Sequence, residues 1–350
     1  MPRWAVALIA GRECAAFVVA MCICGCREVA SPAPFDIKMA IGPLLAAPID
    51  SSGAVIFPTG LDVNESGLVV GNLTFSGTAE GFTWRNGTFL ILPSSTDATT
   101  VRAVNNLGDI VGVYGGRPMI WYAGEPAPTP IFRPDTDYVI ASAVDVNDRR
   151  EVYLYLNGRT TAVWFRDAFR VVSTQCSIPI AINNLGIIAY ETCGEPHDNW
   201  VLAPSPFGSA TITSSSRFAQ GAGCKRGRQS TGYALSDSNE VIGTTDLSPD
   251  VGKSADVWIA GGCLNVTATY PALTLRVFNN RGVLGGWRVD GTDTTAVLAM
   301  NGAWISLNDL VGASSIHFTQ TYRITDSRFI LAYGYRISDA KRVVALLRPR

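Results

Sequence analysis

Two aspartates occupy matching positions in the sequence and are the first candidates for chemistry. Asp62 and Asp145 each lie two residues before an asparagine, Asn64 and Asn147, within a largely apolar run. Two carboxylates that converge on one cavity can act as acid and base in the cleavage of a glycosidic bond. The alternative is a pair of solvated residues without a reaction, and this is the interpretation we favour.

A second group of ionisable side chains is concentrated in one segment. It comprises Glu191, Glu195, His197 and Asp198, which we expect in a long loop between two strands. Such a group can serve in acid–base chemistry or bind a cation, although this composition is also typical of a solvated loop. With only two histidines in the chain, little imidazole is available for catalysis. We therefore assign no catalytic residue and expect neither a metal site nor a cofactor.

Four of the eight cysteines lie beyond the first thirty residues, at positions 176, 193, 224 and 263. An even number favours disulfides in an oxidising compartment. Cys176 and Cys193 are equidistant from the segment 183–186, so a regular hairpin places them opposite each other, within disulfide range. Cys224 and Cys263 pair by elimination. Zinc is the alternative, but no Cys-x-x-Cys or paired histidine accompanies these thiols.

The composition excludes several classes of protein. The 350 residues are 47% hydrophobic and 16% charged, with a formal net charge of -1, 34 Gly and 19 Pro. This profile excludes a disordered chain, a coiled coil and a collagen-like rod. A net charge near zero also argues against binding of nucleic acid through a broad basic face, so we expect no nucleic-acid partner.

One short sequence motif recurs seven times, and the structure that it forms must position the candidate residues. It reads apolar-x-apolar-Asn-x-x-Gly and leads into a Val/Ile run; we call the Asn position the anchor. Four copies are complete, and three carry changes in the turn. The anchors are Asn64, Asn105, Asn147, Asn183, Ser236, Asn279 and Thr325, at spacings of 41, 42, 36, 53, 43 and 46 residues.

Each repeat predicts four short strands. An apolar strand precedes the anchor, Asn and Gly form the turn, and the Val/Ile run returns. A third strand carries a buried aromatic position and a fourth follows a second turn. The aromatic position is held by Trp84, Trp121, Trp164 and Trp258, and in the other repeats by Leu202, Ala299 and Leu347. Four antiparallel strands per 40–45 residues is the pattern of a β-propeller blade.

The two ends of the chain predict how the array closes. The seventh repeat stops after its third strand, at 342–347, and lacks a fourth. An unassigned strand-like segment, 35–41, precedes the first repeat. Pairing of these two segments removes an exposed sheet edge. The sequence therefore predicts an all-β, seven-bladed β-propeller in a single domain, residues 35–350, closed by its N-terminal strand.

The repeated phrase, followed by a Trp before a glycine turn, resembles the bacterial HAF extracellular repeat. The resemblance covers nearly all of residues 35–348 and is specific in the first, second, fourth and sixth copies. It implies a secreted or surface repeat domain, and no reaction belongs to the family as such. Arg149 and Arg150 replace the turn glycine in the third copy, which puts regular turn geometry there in doubt.

The first residues have the pattern of a bacterial export signal. A basic start is followed by an apolar run from Cys14 to Gly25, too short to span a bilayer. The run ends in Ile23-Cys24-Gly25-Cys26, which resembles a lipobox. We expect a signal peptide over 1–25, lipidation of Cys26 and a tether over 26–34. Plain cleavage is the alternative.

These features together predict a propeller held at the bacterial cell envelope by a lipid anchor, at the outer membrane or cell surface, or else secreted. We expect it to act as a binding or scaffold module for an extracellular protein or glycan. A propeller-based polysaccharide lyase or glycoside hydrolase is the alternative. A purely structural role in the envelope is a third possibility.

Overall fold

The computed structural model describes most of the chain from Met39 onwards. The described residues are 39–45, 58–75, 77–92, 98–125, 127–131, 140–157, 159–173, 176–192, 200–208, 217–218, 229–248, 252–259, 262–265, 273–300 and 303–349. All of them belong to one compact unit, Met39–Arg350. The predicted signal peptide, Cys26 and the tether lie outside the described residues.

The described strands form seven antiparallel sheets of four strands each, which confirms four strands per repeat. Strand β1 spans Met39–Leu45. Sheet 1 contains β2 (Thr59–Val63), β3 (Val69–Phe75), β4 (Thr78–Arg85) and β5 (Thr88–Ile91). Sheet 2 contains β6 (Thr99–Val104), β7 (Ile110–Tyr114), β8 (Arg117–Trp121) and β9 (Thr129–Pro130). Sheet 3 contains β10 (Ile140–Val146), β11 (Val152–Leu156), β12 (Thr160–Phe165) and β13 (Ala168–Ser173).

The remaining sheets follow the same order along the chain. Sheet 4 contains β14 (Ser177–Ile182), β15 (Ile187–Thr192), β16 (Trp200–Pro204) and β17 (Arg217–Phe218). Sheet 5 contains β18 (Gln229–Leu235), β19 (Val241–Ser248), β20 (Gly252–Ile259) and β21 (Gly262–Asn265). Sheet 6 contains β22 (Leu273–Phe278), β23 (Leu284–Asp290), β24 (Asp293–Met300) and β25 (Ala303–Ser306). Sheet 7 contains β26 (Ile316–Ile324), β27 (Ile330–Arg336) and β28 (Arg342–Pro349), with β1 beyond β28.

The pairing of β1 with β28 brings the first described strand onto the last sheet. The register runs antiparallel from Met39 opposite Pro349 to Leu45 opposite Val344. The predicted pairing partner of 342–347 is therefore present, but the strand extends to Leu45 rather than ending at Ile41. The part of the predicted segment before Met39 lies outside the described residues.

The anchor turns have one geometry in all seven repeats. In each, the residue three positions past the anchor donates its N–H to the anchor carbonyl. That position requires a positive φ, which Gly67, Gly108, Gly186 and Gly282 adopt readily. In the other repeats it is held by Arg150, Asn239 and Arg328, with φ of 66°, 65° and 68°. The doubt about turn geometry in the third repeat is thus resolved: Arg150 keeps the turn.

The anchor side chain explains why the turn tolerates Ser and Thr. The Oδ1 atom of Asn279 accepts hydrogen bonds from the N–H groups two and four residues further on, at 3.1 and 3.0 Å. The Oγ atom of Ser236 accepts the corresponding pair at 3.1 and 3.0 Å. A side-chain oxygen at this position is therefore sufficient to cap the turn.

The third strands pack the core between neighbouring sheets. Trp84, Trp121 and Trp164 are each at most 4% exposed, as the repeat predicts. Each of these tryptophans is paired with the residue five positions past its anchor. Leu347 and Ala299 are paired in the same way in their own sheets, which confirms their assignment to this position. In sheet 4 that residue, Ile188, lies opposite Ala203, so the assignment of Leu202 is wrong by one position. The glycine of the turn after this strand, Gly208, lies five residues past Ala203, whereas Gly87 lies three past Trp84.

The described residues contain one helix, α1 (Leu307–Val311), which Ser306 caps through its side chain. Within the described part of the chain, no helix has the length and apolar character needed to span a membrane.

Candidate functional site

The first strand of each sheet contributes to one shared surface. These seven inner strands are β2, β6, β10, β14, β18, β22 and β26. Each contacts the inner strand of the next sheet, and β26 contacts β2. Every inner strand has a bulge just before its anchor. A bulge re-aims the residues around it. Two and three residues before the anchors, charged and aromatic side chains such as Asp62, Arg276 and Tyr322 contact side chains of neighbouring inner strands. Leu61 and Ala103 at these positions are buried in the core instead.

Asp62 forms an ion pair across two sheets on the inner surface. Its Oδ1 lies 3.0 Å from Nε of Arg323, which occupies the same position two residues before its own anchor. Its Oδ2 accepts a hydrogen bond of 3.0 Å from the N–H of Val104 in sheet 2. The Asp62 side chain is 15% exposed and that of Arg323 is 36% exposed. This carboxylate is therefore held by partners from both neighbouring sheets.

Asp145 is tied to the next sheet in the same way. Its Oδ2 accepts from the N–H of Ile182 at 2.9 Å, and its Oδ1 accepts from Val146 at 2.8 Å. Burial contributes most to raising the pKa of Asp145 from 3.8 to about 7, and the charge of Asp62 adds to the rise. The two N–H groups and the Arg323 guanidinium act in the opposite direction. Asp145 can thus exchange a proton near neutral pH.

Arg323 links the two carboxylates electrostatically. Burial by itself lowers the pKa of its guanidinium, but Asp62, Tyr322 and Asp145 more than offset this, and the pKa is raised. Both carboxylates therefore act on the charge of Arg323, and only Asp62 is in direct contact with it. Sequence reasoning missed Arg323, although it holds the position of Asp62 and Asp145 in the seventh repeat. Alignment of the inner strands on their anchors identifies it.

An arginine lies between two aromatic rings at the position three residues before the anchors of the inner strands. The guanidinium of Arg276 is 5.5 Å from the ring centroid of Tyr233 and 5.6 Å from that of Tyr322. These distances are in the range of cation–π contacts. Arg276 is exposed, as is Arg102 at the same repeat position. Neither arginine forms an ion pair with any of the described residues.

The residues just past the anchors form a continuous hydrogen-bonded series. In each repeat the N–H of this residue donates to the side-chain oxygen of its counterpart in the next repeat, at 2.6–2.9 Å. The last donor, Asp326, bonds to Oε1 of Glu65 in the first repeat. We call this set the turn ring: Glu65, Asn106, Asp148, Asn184, Asp237, Asn280 and Asp326.

Most anchors add a second bond between repeats. The Nδ2 atoms of Asn64, Asn105, Asn147, Asn183 and Asn279 each donate to the carbonyl of the next anchor, at 2.8–3.0 Å. All five side chains are at most 6% exposed. The recurrence of Asn therefore reflects a capped turn and a joint to the neighbouring sheet.

The predicted cluster of Glu191, Glu195, His197 and Asp198 is placed only in part. Glu191 is not in a loop: it lies within β15, opposite Ile178 and Trp200, and is 8% exposed. Its expected loop position is wrong because β15 continues to Thr192. The other three residues lie outside the described residues. Among those that are described, no three His, Cys, Asp or Glu side chains are arranged to hold a metal ion.

The cysteines are likewise placed in part. Cys193 and Cys224 lie outside the described residues. Ser177 is opposite Thr192, which is the last described pair of the ladder of β14 and β15. Cys263 lies in β21, opposite Trp258.

Comparison with known proteins identifies the fold. No family model matches the chain, and no curated protein matches it in sequence. The β-propeller domain of the Trilobed protease from Pyrococcus furiosus, described as having an open velcro topology, aligns with a TM-score of 0.52 and 9% identity, over 84% of this chain and 97% of that one. Oligogalacturonate lyase from Vibrio parahaemolyticus aligns with a TM-score of 0.54 and 10% identity, over 90% and 92%.

A third solved structure is a WD40 domain. The WD40 domain of coronin from Toxoplasma gondii aligns with a TM-score of 0.51 and 10% identity, over 91% of this chain and 88% of that one. Structural similarity at this level of identity shows the architecture only. The four-stranded sheets and these neighbours together show that the chain is an all-β protein of the β-propeller type.

Proposed function

We propose that residues 35–350 form a single closed propeller of seven blades. Three observations support the proposal: the turn ring returns to Glu65, the inner strand β26 contacts β2, and β1 pairs with β28. Closure by an N-terminal strand leaves no free edge between the first and last blades. The inner surface then lines a central channel.

We propose that this propeller is a binding module whose ligand enters the channel, and that the ligand is an anionic glycan. The observation that carries the proposal is Arg276, exposed between Tyr233 and Tyr322 without an acidic partner among the described residues. Arginine recognises carboxylates through paired hydrogen bonds, and tyrosine rings offer flat apolar surface to a sugar. A protein partner that presents acidic side chains remains the alternative occupant.

A glycan array probed with the purified protein tests this function. We expect retention on uronic-acid-containing glycans and little on neutral ones. Arg276→Ala should weaken binding at least tenfold. Arg288→Ala is the matched control, because Arg288 is an exposed arginine on β23 whose partner is Asp290. Equal binding by both variants would contradict the proposed site.

The second candidate function is cleavage of such a glycan by a lyase or hydrolase mechanism. It is favoured by Asp145, whose pKa of about 7 suits a group that exchanges protons. Both carboxylates accept hydrogen bonds from backbone N–H groups. Because these bonds occupy carboxylate oxygens that a reaction would need, they favour binding over catalysis. Incubation with polygalacturonate, followed at the absorbance of unsaturated products and by reducing-end assay, separates the two. Turnover that disappears in Asp145→Asn would establish the enzyme.

We propose further that the chain is of the HAF repeat type, is exported, and is anchored through an acylated Cys26, with free secretion as the alternative. Mass spectrometry of the mature amino terminus tests this: a lipid-modified Cys26 is expected, and an unmodified start further along would refute it. In the oxidising compartment we expect the disulfides Cys176–Cys193 and Cys224–Cys263. Peptide mapping without reduction identifies the pairs directly.

A further inference from the structure

A cavity of about 460 Å³ lies between sheets 1 and 2, beside their anchor turns. Its volume is within the range of sites that bind small molecules. Four leucines, Leu68, Leu90, Leu92 and Leu107, contribute to its walls together with Trp121. Leu90 and Leu107 are 60% and 50% exposed, so the cavity presents apolar side chains that no described residue covers.

The equivalent cleft between sheets 2 and 3 is occupied by a side chain of the protein itself. Arg150, three residues past its anchor, places Nε 2.8 Å from Oδ2 of Asp109 and its guanidinium 5.1 Å from the ring centroid of Tyr122. Between sheets 1 and 2 the matching positions are Gly108 for Arg150 and Leu68 for Asp109. The first cleft is therefore open because the residue that would fill it has no side chain.

Trp121 and Arg85 both line this cleft but contribute to it differently. Trp121 is 4% exposed, and its Nε1 has no hydrogen-bond partner among the described residues. This N–H is itself fully buried, so Trp121 contributes apolar ring surface to the cavity wall and its indole signal reports on that wall. Arg85 lines the same cavity, is exposed and forms no ion pair within the described part of the chain. Glu125, also in the lining, disfavours a ligand with several negative charges.

We propose that the cleft between sheets 1 and 2 binds a small monocarboxylic acid with an apolar body. Its hydrocarbon part contacts the leucines and the Trp121 ring, while its carboxylate pairs with Arg85. This ligand takes the space that the Arg150 side chain takes in the next cleft. The site is separate from the inner surface and does not depend on the function proposed above.

Titration of ¹⁵N-labelled protein with octanoate tests the proposal, with 1-octanol as the neutral probe of equal length. The indole signal of Trp121 is assigned by its loss in Trp121→Phe. We expect a saturable shift of this signal with octanoate and at least tenfold weaker binding of octanol. Arg85→Ala should weaken octanoate binding about tenfold and leave octanol unchanged. Arg117→Ala, an exposed arginine outside the cavity lining, is the control.

Filling the cleft provides the second test. Gly108→Arg copies the residue that occupies the neighbouring cleft, and Arg150 already adopts a φ of 66° in the same turn. The variant should lose octanoate binding while its spectrum keeps the dispersion of a folded protein. If that variant does not fold, Leu107→Asp should weaken octanoate binding at least tenfold. The absence of a saturable shift at millimolar octanoate, or equal binding of octanol, would overturn the proposal.

Discussion

Substitution of Asn279 separates the two tasks that we assign to the anchor side chain. Its Oδ1 accepts two turn N–H groups, at 3.1 and 3.0 Å, and its Nδ2 donates to the carbonyl of Thr325 at 2.9 Å. The side chain is 6% exposed. A buried hydrogen bond contributes about 1 kcal/mol net, and an abandoned buried partner costs about 1–3 kcal/mol. Asn279→Ala removes all three bonds, so we expect a loss of about 3 kcal/mol in the free energy of unfolding.

Two further substitutions at the same position divide this loss. Asn279→Ser should keep the turn bonds, because Ser236 makes them in the fifth repeat, and should lose only the joint to sheet 7. We expect about 1 kcal/mol for it. Asn279→Asp also keeps the acceptors but directs a carboxylate oxygen at the Thr325 carbonyl. We expect about 2 kcal/mol at pH 8, because a buried charge then faces a second acceptor.

Urea denaturation followed by tryptophan fluorescence measures the series, provided that the slope against urea concentration is unchanged. The expected order of destabilisation is Ala, then Asp, then Ser. If Asn279→Ser loses as much as Asn279→Ala, the turn bonds contribute nothing and the division between cap and joint is wrong. If all three variants unfold within about 0.5 kcal/mol of the parent, the anchor does not stabilise the fold.

Three other predictions concern closure, protonation and backbone strain. Glu65→Ala removes the acceptor of the Asp326 and Ser327 N–H groups, and should lower the unfolding free energy by about 1–2 kcal/mol and speed hydrogen exchange at those two amides; unchanged exchange would argue against closure. Asp145 has a pKa above its unfolded value, so the folded state holds the proton longer and stability falls as pH rises from about 4 to about 7. Relative to Asp145→Asn this fall should be about 1–2 kcal/mol in urea melts at pH 4.5 and 7.5, since solvent screens the half-buried group; parallel stabilities would contradict it. Arg328→Gly should raise the melting temperature, with a gain of about 0.5–1 kcal/mol, because arginine at a φ of 68° is strained and glycine is not; a lower melting temperature would oppose this view.

The repeat was predictable from the sequence because one set of hydrogen bonds recurs in every turn. An anchor oxygen caps the turn and a positive φ ends it, and these local demands appear as Asn and Gly at fixed spacing. The altered copies were harder to interpret, since Arg150 and Arg328 are unusual at positive φ. They fit because Asn147 and Thr325 still supply the cap. The hydrogen bonds made by the anchor side chain therefore outweigh the low tendency of arginine to adopt a positive φ at the end of the turn.

The inner-strand bulges could not be predicted, and they affect every inference about register. The symmetric hairpin assumed for Cys176 and Cys193 has no bulge. In the structure Ile182 lies opposite Ile188, one position away from that symmetric register. The bulge between Pro179 and Ala181 shifts the pairing back, so that Ser177 meets Thr192. The two deviations cancel, and the symmetric register is restored from Pro179 to Ser177 for a reason that the sequence pattern does not contain.

The candidate site was accessible only in part because it is assembled from distant repeats. Asp62 and Asp145 were found by their shared position, and the same comparison contains Arg323. What it lacks is the identity of the neighbouring inner strand, which determines that Asp62 meets Arg323 at 3.0 Å. The environment of Arg276 depends in the same way on Tyr233 and Tyr322 from the two adjacent strands.

The turn ring has a direction, since every link runs from the amide of one repeat to the side chain of the next. An extra repeat inserted in the middle of the chain would find a backbone N–H donor in the repeat before it and a side-chain acceptor in the repeat after it. A copy added at either terminus would instead displace Glu65, whose longer side chain reaches two amides where the other members reach one. Growth or shrinkage of such an array by duplication is therefore chemically easiest at its internal joints, and in the closed ring that we propose the junction at Glu65 is the least tolerant of an added repeat.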